Sequence, residues 1–446
     1  MHIIIIGAGD VGFTLAKMLS YEKHDIVIIE KQHDRFNKVV NNLDAQALEG
    51  SGTDFTLLEK AGIRKADLLV AVTDDEAVNL LSAIMAKELG VQRTVARVMN
   101  RYFLRTDSPL SKEYYNIDMI IHPESVVAKG AVRLLKQSAA TDILEFAGGE
   151  IVLMGIFLDN DLPILRRSLN DLTNEYKSFP FRTVAIQRKD ITKIPGGDDV
   201  LMPNDRIFVT LPKEHLDEVL KITGKSNVNI EDVMILGGGQ TGYLIAKELE
   251  KQCNVKIIES DMDQTNVLSE SLRKSLVIKG DGRDLNLLAL EGIVDMDAFI
   301  AVTGDDETNI VSCLIAKHLK VSRIMALINK SDYSPIIPTI GIDAYLSKQM
   351  LTVSSILKFI RRGSVVSVAS IPGISAEAIE LIADKGSKIT KKNLKAIKFP
   401  DNAILGAVQR GKKVFIPVGE TQIEPNDKVV VFAMPGAIQE VEKLFD

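Results

Sequence analysis

The sequence has no tryptophan and only two cysteines, Cys253 and Cys313, in 446 residues. Two thiols cannot build a disulfide framework or a four-cysteine zinc site, so both are expected to be packed thiols of a reducing compartment. No apolar run approaches the roughly 20 residues needed to cross a bilayer. The first residues enter an apolar strand pattern at once, without a charged leader or cleavage site, so no signal peptide is expected. Basic residues are outnumbered, 54 Lys and Arg against 60 Asp and Glu, and the net charge of -6 argues against a nucleic-acid partner. No G-x-x-x-x-G-K-[ST] stretch occurs, which speaks against P-loop hydrolysis. What is present is glycine, 30 residues of it, in a chain poor in aromatics, a composition that fits α/β packing. A chain this long calls for about two to four domains.

The chain repeats itself. Gly7, Gly9 and Gly12 recur as Gly237, Gly239 and Gly242, a displacement of 230 residues. At the same displacement Gly50-Ser51-Gly52-Thr53-Asp54 meets Gly280-Asp281-Gly282-Arg283-Asp284, and the apolar run ending at Thr73 meets the run ending at Thr303. Asn79 meets Asn309, Lys87 meets Lys317, and Arg93 meets Arg323. The register then changes to 222, pairing Gln187-Arg188 with Gln409-Arg410 and Pro203-Asn204-Asp205 with Pro425-Asn426-Asp427. The order is therefore A-B-A-B, with the polar stretch Gly224 to Asn229 as the linker between halves.

Module A alternates short apolar runs with helical patterns. Strands are expected near 2–7, in HDIVIIE, AQALEG and DLLVAV, near 93–98 and in DMIIH, with helices near 11–20 and 75–89. Continuous apolar strands imply a sheet covered on both faces. Right-handed strand–helix alternation then gives a Rossmann-like, doubly wound parallel sheet. Helical stretches near 123–137 and 348–362 leave the two sheets. Module B, about 85 residues with IPGGDD and PNDR turn signals, reads as a smaller α+β domain with β-hairpins. The expected division is 1–122 with crossover helix 123–138, then 139–224, then 230–347 with crossover helix 348–362, then 363–446.

The run Gly7-Ala8-Gly9-Asp10-Val11-Gly12 follows a strand and opens a helix, as does Gly237-Gly238-Gly239-Gln240-Thr241-Gly242. In such a turn the first glycine permits the tight bend, the second lets backbone approach a pyrophosphate, and the third brings helix close to sheet. The helix start offers free N–H donors and a partial positive charge to phosphate. An acid closes strand two in each copy, Glu30 and Glu259. A carboxylate there accepts from ribose hydroxyls and repels a 2′-phosphate, which favours NAD(H) over NADP(H). Ser51-Gly52 and Asp281, after strand three, are candidates for the adenine side; ordinary loop residues are the competing reading. Thr73-Asp74 and Thr303-Gly304 end strand four at the switch-point crevice, where open α/β sheets bind ligands. Arg97 ends strand five and suits a phosphate or carboxylate, with a surface ion pair as the alternative. Its counterpart is Leu327, so the two sites are expected to be unequal.

The A-B-A-B order, GAGDVG and GGGQTG, the strand-end acids, GSGTD and GDGRD, AVTDDE and AVTGDDE, and the IP and PND signatures together resemble the TrkA family, over essentially the whole chain. That resemblance implies peripheral regulatory subunits of bacterial Trk potassium uptake systems. Module A would be a regulator-of-potassium-conductance nucleotide domain and module B its C-terminal partner domain. Such chains would form a tetrameric ring at the inner face of the cell membrane, beneath an integral Trk-type transporter subunit. NAD(H), and in related rings ATP or ADP, would bind module A and gate potassium flow. The family's nucleotide contacts map onto the glycine turns, Glu30, Glu259, Thr73, Asp74 and Arg97.

Two other classes compete with this reading. An NAD-dependent oxidoreductase needs an acid or base beside the nicotinamide. The six histidines form no repeated cluster, and His122 faces Leu346-Ser347-Lys348 in the other copy. Tyr243 and Lys247 have the spacing of a reductase pair, but they sit on the helix that follows the glycine turn, where the first copy has Phe13 and Lys17. A nucleotide-sensing scaffold for some other partner is the third class, and no residue separates it from a potassium regulator.

Overall fold

Four consecutive isoleucines fix the centre of the first sheet. Ile3 to Ile6 are buried on both faces of β1 (His2–Ile6), which pairs in parallel with β2 (Asp25–Glu30) on one side and β4 (Leu68–Ala71) on the other. With β3 (Gln46–Glu49), β5 (Arg93–Arg97) and β6 (Met119–Ile121) the order is β3-β2-β1-β4-β5-β6. Helices α1 (Asp10–Ser20), α2 (His33–Asn42), α3 (Phe55–Lys60) and α4 (Glu76–Glu88) fill the crossovers, and α5 (Pro123–Lys136) leaves the sheet. The order reverses at β1 and β4, which opens a crevice at the carboxyl ends of those strands. The computed structural model describes residues 1–446 except 22–23, 106–110, 112, 137–141, 161, 190, 225–229, 334–335, 338, 361–364, 371–373, 375 and 446. The linker expected after Gly224 lies in 225–229, outside the described residues.

The first C-terminal module contains β7 (Asp142–Phe146), β8 (Ile151–Phe157), α6 (Leu169–Glu175), β9 (Arg182–Arg188), β10 (Ile191–Lys193), β11 (Arg206–Pro212) and α7 (Leu216–Ile222). Its sheet is antiparallel in the order β10-β9-β11-β8-β7. Leu172 of α6 and Val219 and Leu220 of α7 pack on one face of it.

The second half repeats the plan. Its parallel sheet comprises β12 (Asp232–Leu236), β13 (Asn254–Glu259), β14 (Leu276–Lys279), β15 (Ala298–Ala301), β16 (Arg323–Leu327) and β17 (Ala344–Leu346), in the order β14-β13-β12-β15-β16-β17. The helices are α8 (Gln240–Leu249), α9 (Met262–Ser271), α10 (Leu285–Leu290), α11 (Asp306–His318) and the exit helix α12 (Lys348–Ile360). A second antiparallel sheet follows, β18 (Val365–Ser370), β19 (Glu377–Ile382), β20 (Ala403–Arg410), β21 (Lys413–Phe415) and β22 (Lys428–Ala433), ordered β18-β19-β22-β20-β21, and α13 (Ile438–Phe445) closes the chain.

The repeated PND signature is structural. Asn204 and Asn426 turn the chain at φ 66° and 70°, a conformation asparagine tolerates. The next residue, Asp205, is fully buried and accepts from Met202 N at 2.8 Å and from both Arg188 Nε and Nη2 at 2.7 and 2.8 Å. Asp427 does the same with Glu424 N and Arg410. Each arginine ties a hairpin to the turn that follows it, and the aspartate raises each guanidinium pKa through its hydrogen bonds.

By compactness the chain divides into two units that are not the two halves. One holds residues 1–126 with 349–362, the other 127–348 with 363–446. In the first, Val353, Ile356, Leu357 and Ile360 of α12 share a core with Ile3, Ile5, Val11, Leu15 and Leu19. The Arg93 guanidinium donates to Ile360 O at the end of α12, and Gln349 Nε2 donates to Asp10 O at 2.8 Å near its start. In the second unit the two antiparallel sheets share a core that includes Phe208 and Phe432, whose ring centroids lie 6.4 Å apart. Arg182 Nη2 reaches Pro417 O at 2.6 Å, and Ala147 N donates to Glu380 at 3.0 Å across the same interface. Among the described residues no helix is long and apolar enough to cross a membrane.

Candidate functional site

The two glycine turns are built alike. Gly7 N donates to Ile29 O at 2.8 Å and Gly237 N to Ile258 O at 2.9 Å, which anchors each turn to strand two. Gly7 and Gly237 have φ of 97° and 100°, and a Cβ on either would lie 2.9 Å from Thr73 or Thr303. A Cβ on Gly12 would lie 2.0 Å from Gly7 O, and on Gly242 1.8 Å from Gly237 O. The fold itself therefore demands the first and third glycines. The middle ones are different. Gly9 has ordinary extended backbone, φ -66° and ψ -174°, and Gly239 has φ -61° and ψ -175°. A Cβ on Gly239 would meet nothing within 4 Å, and one on Gly9 only the Arg35 guanidinium, at 3.5 Å. Neither backbone strain nor packing requires glycine there.

The helix starts differ in the same sense. Asp54 and Asp284 cap α3 and α10, and Asp75 and Asp305 cap α4 and α11, each accepting backbone N–H bonds. At Gly9 and Gly239, the caps of α1 and α8, no side chain performs that role. The first-turn N–H groups of Asp10, Val11 and Gly12, and of Gln240, Thr241 and Gly242, thus point their dipole ends into the crevice without a side-chain acceptor. Val11 and Thr241 are buried beneath, while Asp10 and Gln240 are exposed.

Both strand-end acids reach the turns. Glu30, only 6% exposed, accepts from Ala8 N at 2.5 Å through one oxygen and from Gln32 N at 2.7 Å through the other. Glu259 accepts from Gly238 N at 2.7 Å and Asp261 N at 2.8 Å. The carboxylate locks the turn to strand two. Both Glu30 oxygens and Glu259 Oε2 keep a further lone pair that a hydroxyl can occupy, while Ser260 Oγ already donates to Glu259 Oε1 at 3.2 Å.

On the other side of the crevice Thr73 and Thr303 are held by a buried amide. Asn79 Oδ1 accepts from Thr73 N at 2.8 Å and Thr73 Oγ1 at 2.7 Å, while its Nδ2 donates to Thr73 O at 3.0 Å and Arg97 O at 2.9 Å. Asn309 makes the same set with Thr303 and Leu327 O. These asparagines staple strand four to strand five. The repeat alignment contained them, but their role needed the structure. A polar residue recurring on an otherwise apolar helix face was the available signal.

The copies diverge at the mouth. Arg97 Nη1 pairs with Asp74 Oδ1 at 3.0 Å, and Arg35 Nη1 lies 3.7 Å from Asp74 Oδ2. Gly304 and Leu327 stand in the second copy, and a Cβ on Gly304 would meet open space. Beyond strand three, Ser51 Oγ bonds Thr53 Oγ1 at 2.8 Å, whereas Asp281 pairs doubly with Arg283 at 3.0 and 2.8 Å. The Arg283 guanidinium holds the Asp281 carboxyl below the usual carboxylate range. Gly52 is a packing position, since a Cβ would lie 2.1 Å from Ile6 Cγ2. The structure thus gathers the first glycine turn, Glu30, Thr73, Asp74 and Arg97 at the carboxyl ends of β1, β2, β4 and β5, and the second turn, Glu259, Thr303, Gly304 and Leu327 at the carboxyl ends of β12, β13, β15 and β16.

The residues that could serve catalysis have local employment. His122 Nδ1 accepts from Ser125 N at 3.0 Å, which leaves Nε2 as the donor to Met99 O at 2.9 Å and makes the ring a cap of α5. Lys247 Nζ donates to Tyr243 Oη at 2.7 Å on the surface of α8. Cys313 is buried, and burial pushes its thiol pKa well up. Among the described residues no group of three His, Cys, Asp or Glu could hold a metal.

The TrkA-N domain model matches residues 3–123 and 233–348, and the TrkA-C domain model matches 153–224 and 378–446. The chain belongs to the TrkA family. It is 33% identical over 451 residues to the Trk system potassium uptake protein TrkA of Azorhizobium caulinodans, covering 100% of this chain and 98% of that relative. It is 34% identical over 450 residues to the protein of the same name from Halomonas elongata, again covering 100% and 98%. Among solved structures, the GsuK RCK domain aligns over 100% of this chain and 94% of its own with a TM-score of 0.57 at 17% identity. The GsuK channel bound to NAD aligns over 100% and 78% with a TM-score of 0.59 at 16% identity. The fold is that of tandem RCK domains. These relatives are named as potassium uptake proteins, not as oxidoreductases.

Proposed function

We propose that the protein is the cytoplasmic nucleotide-sensing subunit of a Trk-type potassium uptake system, docked at the inner face of the membrane on an integral transporter subunit. The observation that carries the reading is the middle glycine of each turn. Gly9 and Gly239 keep open space over an uncapped helix start that neither backbone nor packing explains, and a pyrophosphate approaching those N–H groups does. Glu30 and Glu259 stand where ribose hydroxyls would be held and a 2′-phosphate repelled, so NAD(H) is preferred to NADP(H), with ATP and ADP as further ligands. The GsuK channel bound to NAD shares the fold, which supports the choice of ligand.

In this reading the residues that form the binding crevices are the two glycine turns with Glu30, Ser51, Gly52, Thr73, Asp74, Arg97, Glu259, Asp281, Thr303 and Gly304. Four domains, 1–122, 139–224, 230–347 and 363–446, are joined by the two crossover helices, and four chains close a ring. Nucleotide acts by differential affinity for two ring arrangements, because a ligand that binds both equally shifts nothing. The test is co-purification with the membrane transporter, then potassium flux with and without each nucleotide. NAD+, NADH, ATP and ADP should bind with different affinities by calorimetry or give different scattering profiles. Identical behaviour of all four ends the proposal. Gly9→Val should remove one binding equivalent, and unchanged stoichiometry refutes the first site.

A further inference from the structure

We propose that the first nucleotide site carries a built-in counter-ion, Asp74, which a ligand's phosphate displaces from Arg35 and Arg97, and that the second site has no such device. The proposal rests on the nucleotide reading above and adds to it a ligand-charge preference confined to one copy.

Two guanidiniums converge on one carboxylate. Arg97, with 18% of its side chain exposed, holds Asp74 at 3.0 Å, and Arg35, 41% exposed, lies 3.7 Å from the other oxygen. The Arg35 Nη1 atom is also 3.5 Å from the position of a Cβ on Gly9, so it hangs over the middle glycine of the turn, where a phosphate would arrive. Asp74 itself is 72% exposed. An exposed ion pair of this kind is worth little and is lost at small cost, because water solvates the released carboxylate. A phosphate offers paired charged oxygens that the planar guanidinium fork can engage bidentately. The exchange therefore favours phosphate over Asp74.

The second copy removes all three charges together. Strand two and the helix after it align at a displacement of 229, Glu30 on Glu259, which puts Arg35 on Gln264; Asp74 and Arg97 fall on Gly304 and Leu327. Gln264 Nε2 donates to Gly238 O at 2.7 Å and occupies that side of the turn without charge. A lone arginine exchanged for leucine would be drift; a cation pair lost together with its carboxylate is a functional unit present or absent as a whole. The remaining charges of the first site are Asp10, exposed at the start of α1, and Glu30, engaged by Ala8 and Gln32. With these acids present, the charge of Asp74 decides how strongly the two arginines act on an incoming anion.

Calorimetry on the full chain with ADP and with adenosine tests this. Asp74→Asn should tighten ADP at one of the two sites about two- to fivefold and leave adenosine unchanged. Arg97→Leu and Arg35→Gln should weaken ADP there, Arg97→Leu by at least about tenfold. In a Gly9→Val background none of the three should alter the binding that remains. Asp74→Asn weakening ADP, or shifting ADP and adenosine alike, overturns the counter-ion role. An effect that survives Gly9→Val assigns it to the other copy and overturns the asymmetry. Absence of any ADP binding to the unmodified chain removes the nucleotide reading and this proposal together, whereas ADP binding with inert Asp74 removes this proposal alone. Asp74→Asn is isosteric at an exposed loop position, so loss of the fold does not confuse the result.

Discussion

Glycine at three neighbouring positions serves two purposes, and substitution separates them. Gly12→Ala drives a methyl to 2.0 Å from Gly7 O and must push α1 off the sheet. A cost of ~2–4 kcal/mol is expected, read as a lowered urea midpoint. Gly9→Ala meets only a flexible guanidinium at 3.5 Å, and its cost should stay below about 1 kcal/mol. If both cost the same, the division between fold glycine and ligand glycine fails. Asn79 is the other residue to test. It is 1% exposed, and Asn79→Ala orphans Thr73 N and the carbonyls of Thr73 and Arg97. About 2–4 kcal/mol should be lost in equilibrium unfolding. At this scale the sequence was partly readable. The glycines, Glu30 and Glu259 stood out because their spacing repeats. Arg35 did not, because one arginine on a polar helix face looks like any solvated side chain until its distance to Asp74 is known. Arg97 had two readings, phosphate contact or surface pair. Its bond to Asp74 is the pair.

Among elements, α12 is the one whose place the sequence could not give. Its amphipathic pattern shows that one face is buried, but not against which sheet. The structure puts Leu357 and its neighbours into the core of the first sheet. Leu357→Ala should cost about 2–5 kcal/mol and raise amide exchange in β1, more than 350 residues earlier in sequence. Exchange faster only in the second parallel sheet would contradict the packing. The strands of the parallel sheet and helices α1 and α4 were legible for the opposite reason, since continuous apolar runs and helical periodicity act locally; α3 and α10, of six residues each, were too short to show a period. A second element-level test concerns pH. Glu250, at the end of α8, is pushed up by burial, but N–H donors from Lys274, Arg273 and Ser275 and the Ser275 hydroxyl outweigh this and hold its carboxyl below the usual range. A depressed folded-state pKa stabilises above the unfolded value, about 4.3, and that contribution fades as pH falls below it. Glu250→Gln should therefore be less stable than the parent at pH 7, and the gap should narrow as pH drops from 5 toward 3. A gap independent of pH would show that the hydrogen bonds, not the charge, matter.

For the whole molecule, repetition in sequence and compactness in space divide the chain differently. The A-B-A-B order was legible because both modules carry motifs in register. The exchange of residues 349–362 into the unit of residues 1–126 was not, because nothing in a repeat says which copy a connecting helix will cover. The paired antiparallel sheets make a further test. Ala407 is fully buried between them, beside Phe208 and Phe432 in the shared core. Ala407→Arg should separate the sheets, seen as new proteolytic cleavage within residues 142–212 or 377–433 and a larger hydrodynamic radius. An unchanged digestion pattern would mean the interface does not hold the second unit together.

The borrowed helix also sets a timetable. Residue 126 leaves the ribosome long before residue 349, and at about 5–20 residues per second the interval is on the order of 10–50 s. Through that interval the newborn first sheet must wait with Ile3, Ile5 and Leu15 lacking the cover that α12 supplies. Holding chaperones, or a slow final docking step, are the natural companions of such a delay. A gene cut between the halves would yield a first fragment that stays insoluble unless the second is made in the same cell.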